Sequence, residues 1–294
     1  MESIRGSNAS EWIRHLIEDF LDQPSENCIK TGSEERAWDY PLVGFSRGDD
    51  SLYDAFKEHV GALHWTPQEA FAQAFPEMPV KPGELAIVSW VLPQTEATKR
   101  DNRAATFYPS ERWARTRVRG EEINEGLRRY LVKEIMDAGI PALAPTLLPQ
   151  WTTGPSERYA MISSWSERHA AYASGLGTFG LSDGLITEKG KAHRVGSIIA
   201  RIETEITPRP YSDHHEYCLF FSEGTCRACI ERCPVQAITD EGHDKLKCYK
   251  HTVEVCSTYV QSQLGLDGGY GCGLCQTGVP CESRIPRKRG KPIG

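Results

Sequence analysis

The distribution of cysteines constrains this 294-residue chain more than any other feature. The start of the chain has neither an apolar segment nor a twin-arginine pair typical of export signals, so we expect a cytoplasmic protein. Cytoplasmic thiols are kept reduced, which disfavours a disulfide framework. Of the ten cysteines, Cys28 stands alone before Cys218, and the other nine lie between Cys218 and Cys281. So many thiols in a short segment indicate metal ligation.

The spacing of the first cysteines in this segment is typical of iron–sulfur proteins. Cys226, Cys229 and Cys233 are spaced C-x2-C-x3-C, and Cys233 is followed by Pro234, as at the end of a bacterial ferredoxin motif. In that motif, closely spaced thiolates bind one [4Fe–4S] cluster, and the cysteine before proline binds a second cluster. The spacing therefore predicts two clusters rather than one.

A second group, Cys272-x2-Cys275-x5-Cys281, provides the reciprocal ligands. Its first two cysteines would join the second cluster, and its last would cross back to the first. At the position where a fourth ligand of the first cluster is expected, the chain has Glu223, and the nearest upstream thiol is Cys218. With Cys248 as the remaining ligand, the sequence predicts one cluster on Cys218, Cys226, Cys229 and Cys281 and another on Cys233, Cys248, Cys272 and Cys275.

Two alternatives to this assignment remain open. Cys256 could replace Cys248 as a ligand of the second cluster, although a small buried residue is the simpler interpretation. Thiolate quartets also suit Zn²⁺, so a pair of zinc sites is possible, but zinc modules do not need the crossover spacing that ends at Cys233.

The prolines of the 207–213 segment divide the chain into two predicted domains, residues 1–210 and residues 211–294. The first domain is predicted to be mixed α/β. Its patterns predict a helix capped by Ser10, strands over 85–92, 140–148 and 194–206, and helices over 119–138 and 166–174. The net charge of −6 indicates neither a nucleic-acid nor a membrane partner.

Upstream of the clusters, a glycine-rich segment follows the last predicted helix. A Gly-x-Gly-x-x-Gly pattern that follows a helix rather than a strand does not favour a dinucleotide site. The order Ala173-x-Gly-Leu-Gly177, Gly184-Leu-Ile-Thr187, Arg194-Val-Gly196 and then a two-cluster ferredoxin module resembles the epoxyqueuosine reductase and reductive dehalogenase superfamily. The resemblance spans roughly residues 80 to 281.

The resemblance implies an α/β (α+β) fold, with a nitroreductase-like cobalamin-binding domain followed by a small two-cluster ferredoxin-like domain. It implies cobalamin without its lower axial base as a cofactor beside two [4Fe–4S] clusters, and an electron donor such as a ferredoxin or flavodoxin. Small residues let a large ligand approach the backbone closely. Carried over by position, the residues lining the cobalamin tail would be Gly175, Gly177, Gly180, Ser182, Asp183 and Gly184. The alternative for Gly177 is that it only permits helix–loop packing.

The chain departs from the family at the proton donor. Epoxyqueuosine reductases have an Asp about 14 residues before the glycine that matches Gly175, and this chain has Met161 there. We therefore do not expect epoxyqueuosine as substrate. Reductive dehalogenases use a Tyr, and Tyr159 lies two residues from that position, with Tyr108 as a second candidate. A tyrosine beside a pocket can equally be a packing residue.

Three functions follow from this sequence. The first is a cobalamin-dependent iron–sulfur reductase, an oxidoreductase that passes electrons through two clusters to cobalamin and reduces a small substrate. The second is a cobalamin-reducing or activating factor whose substrate is the corrin itself. The third is a plain electron-transfer protein without a corrin.

Overall fold

A computed structural model describes residues 6–156, 159–268 and 270–287. Its centre is a four-stranded antiparallel sheet in the order β1-β2-β8-β3. The strands of this sheet are β1 (Leu42–Arg47), β2 (Ala86–Pro93), β3 (Ala142–Leu143) and β8 (His193–Ala200). Three two-stranded ribbons complete the strand set: β4 (Thr153–Gly154) with β5 (Ile162–Ser163), β6 (Thr178–Phe179) with β7 (Leu185–Ile186), and β9 (Ile238–Thr239) with β10 (Gly242–His243).

Helices cover both faces of the central sheet. The helices before the cysteine-rich segment are α1 (Ser7–Asp22), α2 (Ser51–Val60), α3 (Pro67–Ala74), α4 (Glu96–Ala104), α5 (Glu111–Asp137) and α6 (Glu167–Ala173). Apolar residues of α1 and α5 form one core with one face of β2 and β8, and α2, α3 and α6 form a second core on the opposite face. Strand β2 is buried along its whole length because both of its faces are covered. The mixed α/β prediction is confirmed.

The cysteine-rich segment is built from short elements. They are α7 (Leu219–Glu223), α8 (Ala228–Glu231), α9 (Lys245–Tyr249), a π-helical stretch (Lys250–Val255) and α10 (Cys256–Leu264). Contacts join it to the first part of the chain: the Asn102 side chain donates to the Cys272 carbonyl at 3.2 Å, and Arg232 donates to the Asn102 carbonyl at 3.1 Å. The boundary near residue 210 stays a prediction. Within the described part of the chain, no helix is both long and apolar enough to span a membrane.

The sequence located most of these elements but misplaced several ends. Helix α6 and strand β2 are confirmed. The prediction that Ser10 caps the first helix is wrong: α1 begins three residues earlier, and the Ser10 hydroxyl accepts a hydrogen bond from the backbone N–H of Glu205 at 2.9 Å. Helix α5 begins eight residues before the predicted start, because Ser110 caps it by accepting from the Trp113 N–H.

Candidate metal centres and cofactor cavity

The four cysteines predicted for the first cluster line one small cavity: Cys218, Cys226, Cys229 and Cys281. Leu181, Ile186 and Val279 form its apolar walls. Cys226 is partly exposed, whereas the other three cysteines are buried. Glu223 lies at the end of α7 and is not among the described residues that line this cavity. Cys218 therefore joins the first cysteine set although seven residues separate it from Cys226, the first cysteine of the ferredoxin motif.

The four cysteines predicted for the second cluster lie close enough to influence one another's ionisation. Burial raises the pKa of Cys248 to about 12, and the neighbouring Cys275 and Cys233 thiolates raise it as well. Burial also raises the pKa of Cys272, with a further contribution from Cys275. These thiols resist deprotonation without metal, and ligation to iron would supply the missing positive charge.

Two cysteines stand outside these sets. Cys28 is buried in the connection between α1 and β1, where its thiol lies 3.5 Å from the Ser25 carbonyl oxygen. Cys256 is buried beside Cys272, and its Sγ lies 3.5 Å from Nε2 of His251. Cys256 therefore remains adjacent to the second set, as the alternative assignment requires.

A site that binds one metal ion differs in geometry from a site that binds an iron–sulfur cluster. No group of three or more His, Cys, Asp or Glu residues is arranged to hold one metal ion within residues 6–156, 159–268 and 270–287. The ligands of a [4Fe–4S] cluster surround four irons rather than one, so they stand farther apart than the ligands of a zinc site. The donor set, eight cysteine thiols in two groups, suits two cubane clusters.

A second and much larger cavity, with a volume of about 1130 Å³, lies beside the second cysteine set. Helix α2, the β4–β5 ribbon, α6 and the segment from α9 into the π-helical stretch supply its walls. Cys248 of the second set lines this cavity, as does Met161. Small-molecule sites in proteins usually have volumes of about 300–1,000 Å³, so this cavity suits a large ligand.

Tyr159 lies on the wall of the large cavity and contacts two basic residues. Its hydroxyl forms a hydrogen bond with Nε2 of His59, at the end of α2. The Lys245 ammonium lies over the phenol ring, 4.9 Å from its centroid. Tyr108, the other candidate proton donor, stacks on Tyr259 with ring centroids 4.1 Å apart and is not among the described residues that line the cavity.

Asp183 is a charged group on the same wall, between the two parts of the chain. It has a positive φ of 56°, and its carboxylate accepts a hydrogen bond from Nδ1 of His243 at 3.0 Å. Burial opposes its ionisation, but the hydrogen bond from His243 and the charges of Lys245, His243 and Arg168 lower the pKa of Asp183 below its usual value. Asp183 therefore stays ionised at neutral pH.

Sequence reasoning missed the convergence of histidines on this cavity. The cavity is lined by His59, His169, His214, His215 and His243. Burial lowers the pKa of His169 to about 3, and neighbouring positive groups act in the same direction, so this ring is neutral. Apart from the adjacent His214 and His215, these residues come from separate segments, so no spacing along the chain could have shown that they meet.

The predicted cobalamin-tail residues lie mostly against protein. A Cβ atom on Gly177 would stand 2.1 Å from the Ile186 carbonyl oxygen, so the backbone of β7 fills the space beside this glycine. A Cβ on Gly175 would likewise stand 2.5 Å from the Pro208 carbonyl oxygen, and Gly180 borders the small cavity. All six residues predicted to line the cobalamin tail lie in the described part of the chain. Of these, Asp183 is the one that lines the large cavity. Ser182 and Gly184 lie beside it.

The curated proteins that match this chain in sequence are epoxyqueuosine reductases. No protein-family model matches the chain. An epoxyqueuosine reductase of Cellulophaga algicola is 33% identical over 129 residues, which are 42% of this chain and 39% of the relative. An epoxyqueuosine reductase of Synechocystis is 33% identical over 139 residues, 45% of this chain and 42% of the relative. The chain thus matches about two fifths of the length of these curated relatives.

Solved structures extend the similarity over almost the whole chain. A reductive dehalogenase, whose structure suggests a mechanism for B12-dependent dehalogenation, matches with a TM-score of 0.53 and 15% identity, over 97% of this chain and 34% of that one. A catabolic reductive dehalogenase, NpRdhA, matches with a TM-score of 0.51 and 16% identity, over 95% of this chain and 32% of that one. At sequence identities of 15% and 16%, the similarity shows that the chain shares the fold of these proteins.

Taken together, these findings define a protein of mixed α/β architecture in which Cys218, Cys226, Cys229 and Cys281 line one cavity. The resemblance to epoxyqueuosine reductases is confirmed in sequence over about two fifths of the chain, and the chain shares its fold with reductive dehalogenases.

Proposed function

We propose that this protein is an iron–sulfur and cobalamin-dependent reductase. The observation that carries the proposal is the large cavity, because both Cys248 of the second cysteine set and Tyr159 line it. A ligand in this space would lie beside both an electron source and a proton source. In this proposal residues 1–210 form the nitroreductase-like cobalamin domain and residues 211–294 the ferredoxin-like domain.

The two cofactors divide the chemistry between them. When bound, the clusters store single electrons, and base-off cobalamin supplies a strongly reducing cobalt centre. Eight cysteines would hold the clusters: Cys218, Cys226, Cys229 and Cys281 the first, and Cys233, Cys248, Cys272 and Cys275 the second. The chain would contribute burial and position, since the second set borders the cavity.

Tyr159 is the proposed proton donor to the substrate. The hydrogen bond between its hydroxyl and His59 can return a proton to the phenol after it has donated one. The Lys245 ammonium over the ring would stabilise the negative charge that the phenol acquires in that step. Asp183 holds Lys245 in this region, with its carboxylate 3.8 Å from Nζ.

The substrate is proposed to be a small molecule other than epoxyqueuosine. Met161 lines the cavity and is 43% exposed, so the position expected to carry the acidic residue of epoxyqueuosine reductases presents a thioether instead. Electrons would enter at the first cluster from a donor such as a ferredoxin or flavodoxin. The partial exposure of Cys226 and of the nearby Phe221, which is 45% exposed, supports entry there.

Metal analysis and ligand substitutions test the cluster assignment. Protein purified without oxygen should contain about eight irons and eight sulfides per chain. Cys229→Ser and Cys233→Ser should each damage a different cluster, which electron paramagnetic resonance can distinguish in the reduced protein. Loss of the same signal in both variants would contradict the crossover, and stoichiometric zinc without sulfide would contradict the clusters altogether.

Cobalamin binding tests the cavity. Ala55 is an exposed residue of α2 that lines it, so Ala55→Trp should weaken cobalamin binding in equilibrium dialysis by at least about tenfold. Asp54→Trp is the matched control, because Asp54 is the preceding residue of α2 and is not among the described residues that line the cavity. A wild-type protein with full iron but no cobalamin binding would indicate a plain electron-transfer protein. Tight binding without turnover of any substrate except the corrin would indicate a cobalamin-reducing factor.

A further inference from the structure

Lys191 is a buried cation that the proposed reaction has not used. It lies between β7 and β8 and is 3% exposed, and its side chain lines the small cavity of the first cysteine set. Its backbone N–H donates to the Cys281 carbonyl at 2.8 Å, which fixes its position relative to that cysteine. The preceding residue, Gly190, packs against the backbone of Glu282.

The Lys191 ammonium also connects to the second cysteine set. Its Nζ donates to the Ser182 hydroxyl at 3.1 Å, and Ser182 in turn hydrogen-bonds with Cys275. Thiols of both sets lie close enough to this ammonium to interact with it electrostatically. They are Cys281, Cys229 and Cys218 from the first set and Cys275 from the second. Lys191 therefore lies between the two groups.

Burying an ammonium group is costly unless an opposite charge is nearby. Among the described residues, no carboxylate lies within 4 Å of the Lys191 ammonium, and the ionisable side chains nearest to it are cysteine thiols. The negative charge of two thiolate-ligated clusters would provide the partner that this cation requires.

We propose that Lys191 is a positioning residue that sets the reduction potentials of the two clusters. The proposal rests on the proposed function, since it requires that both clusters be present. A fixed positive charge stabilises a cluster more after it gains an electron than before, so Lys191 should make both clusters easier to reduce. The Ser182 hydroxyl would extend this effect to the second cluster through its hydrogen bond with Cys275.

The test is a redox titration of anaerobically purified protein with dithionite, followed by electron paramagnetic resonance. Lys191→Met keeps the length and apolar stem of the side chain and removes its charge. The reduction equilibrium of the first cluster should become at least tenfold less favourable, a shift of about 59 mV to more negative potential for a one-electron couple. Lys189→Met is the matched control, because Lys189 is an exposed lysine of the same turn and its loss should leave both potentials unchanged.

Iron and sulfide content distinguishes failure of this inference from failure of the proposed function. Wild-type protein without two clusters would overturn both. If Lys191→Met retains eight irons and its midpoint potentials equal those of the wild type, the inference is overturned and the proposed function stands.

A second variant covers the case in which Lys191→Met assembles no clusters. Ser182→Ala retains the ammonium and removes its hydrogen-bonded link to Cys275, so the second cluster alone should shift to more negative potential. Equal potentials in Ser182→Ala and the wild type would then overturn the inference. Lys191→Arg, which keeps the charge, should have potentials closer to the wild type than to Lys191→Met.

Discussion

Gly177→Ala should destabilise the folded protein whether or not cobalamin is present. The added Cβ would stand 2.1 Å from the carbonyl oxygen of Ile186, 2.9 Å from its carbonyl carbon and 3.2 Å from the Cα of Thr187. Favourable contacts between nonbonded carbon atoms occur at about 3.5–4.0 Å, so the backbone of β7 would have to move by more than about 1 Å. Backbone atoms cannot relieve the contact by rotating, as a side chain could.

The cost of this substitution can be bounded from general values. Overpacking a close-packed interior costs about 1–3 kcal/mol, and a clash with backbone places Gly177→Ala at the upper end of that range. For a chain of 294 residues, an unfolding entropy of about 2.1 cal/mol/K per residue means that each kcal/mol lowers the midpoint by about 1.6 °C, so the melting temperature should fall by about 5 °C. Valine at the same position should cost more.

Gly184→Ala is the matched control for this experiment. Its Cβ would meet the Ser182 hydroxyl at 3.6 Å and Lys191 Cδ at 3.7 Å, which are ordinary contacts, so the melting temperature should change little. Thermal unfolding is measured with and without cobalamin, and cobalamin binding by equilibrium dialysis. Loss of cobalamin binding in Gly177→Ala with an unchanged melting temperature would refute the packing argument and place the corrin tail at this glycine. Added cobalamin raises the midpoint of any variant that still binds it.

Two further predictions concern a ligand and a buried histidine. Cys218→Ala should lower the iron content by up to half, whereas Glu223→Ala should leave it unchanged, because Cys218 lines the small cavity. The reverse result would indicate a carboxylate ligand. Because the pKa of His169 is lowered to about 3, the unfolded chain binds a proton there below about pH 6.5 that the folded chain does not. Stability should therefore fall by up to about 1.4 kcal/mol per pH unit as the pH drops from about 6.5 towards 3. His169→Gln should reduce this slope in urea titrations, and His15→Gln, at an exposed position of α1, should not.

Cysteine spacing along the chain is enough by itself to predict two metal centres. The spacing of Cys226, Cys229 and Cys233 lies within one short segment, so the ligand geometry it favours is a local property that sequence records directly. Helix α6 and strand β2 were predicted for the same reason, since apolar periodicity and a capping serine act over a few residues.

Tertiary structure alone decided which distant residues meet. Tyr159 contacts His59 from a hundred positions away, and five histidines from four segments of the chain line one cavity. It also decided that the space beside Gly177 is filled by the backbone of β7. The glycine pattern itself was visible in the sequence, but a pattern records that a side chain is absent and not which atoms occupy the space.

Lys191 shows most clearly the difference between what the sequence records and what the tertiary structure decides. In the sequence it is one lysine in a turn, two residues from Lys189, and nothing local distinguishes the two. Folding exposes Lys189 and places Lys191 between two sets of thiols. The electrostatic role of a charge depends on its burial and on its distance from other charges, and both are set by segments far away in the chain.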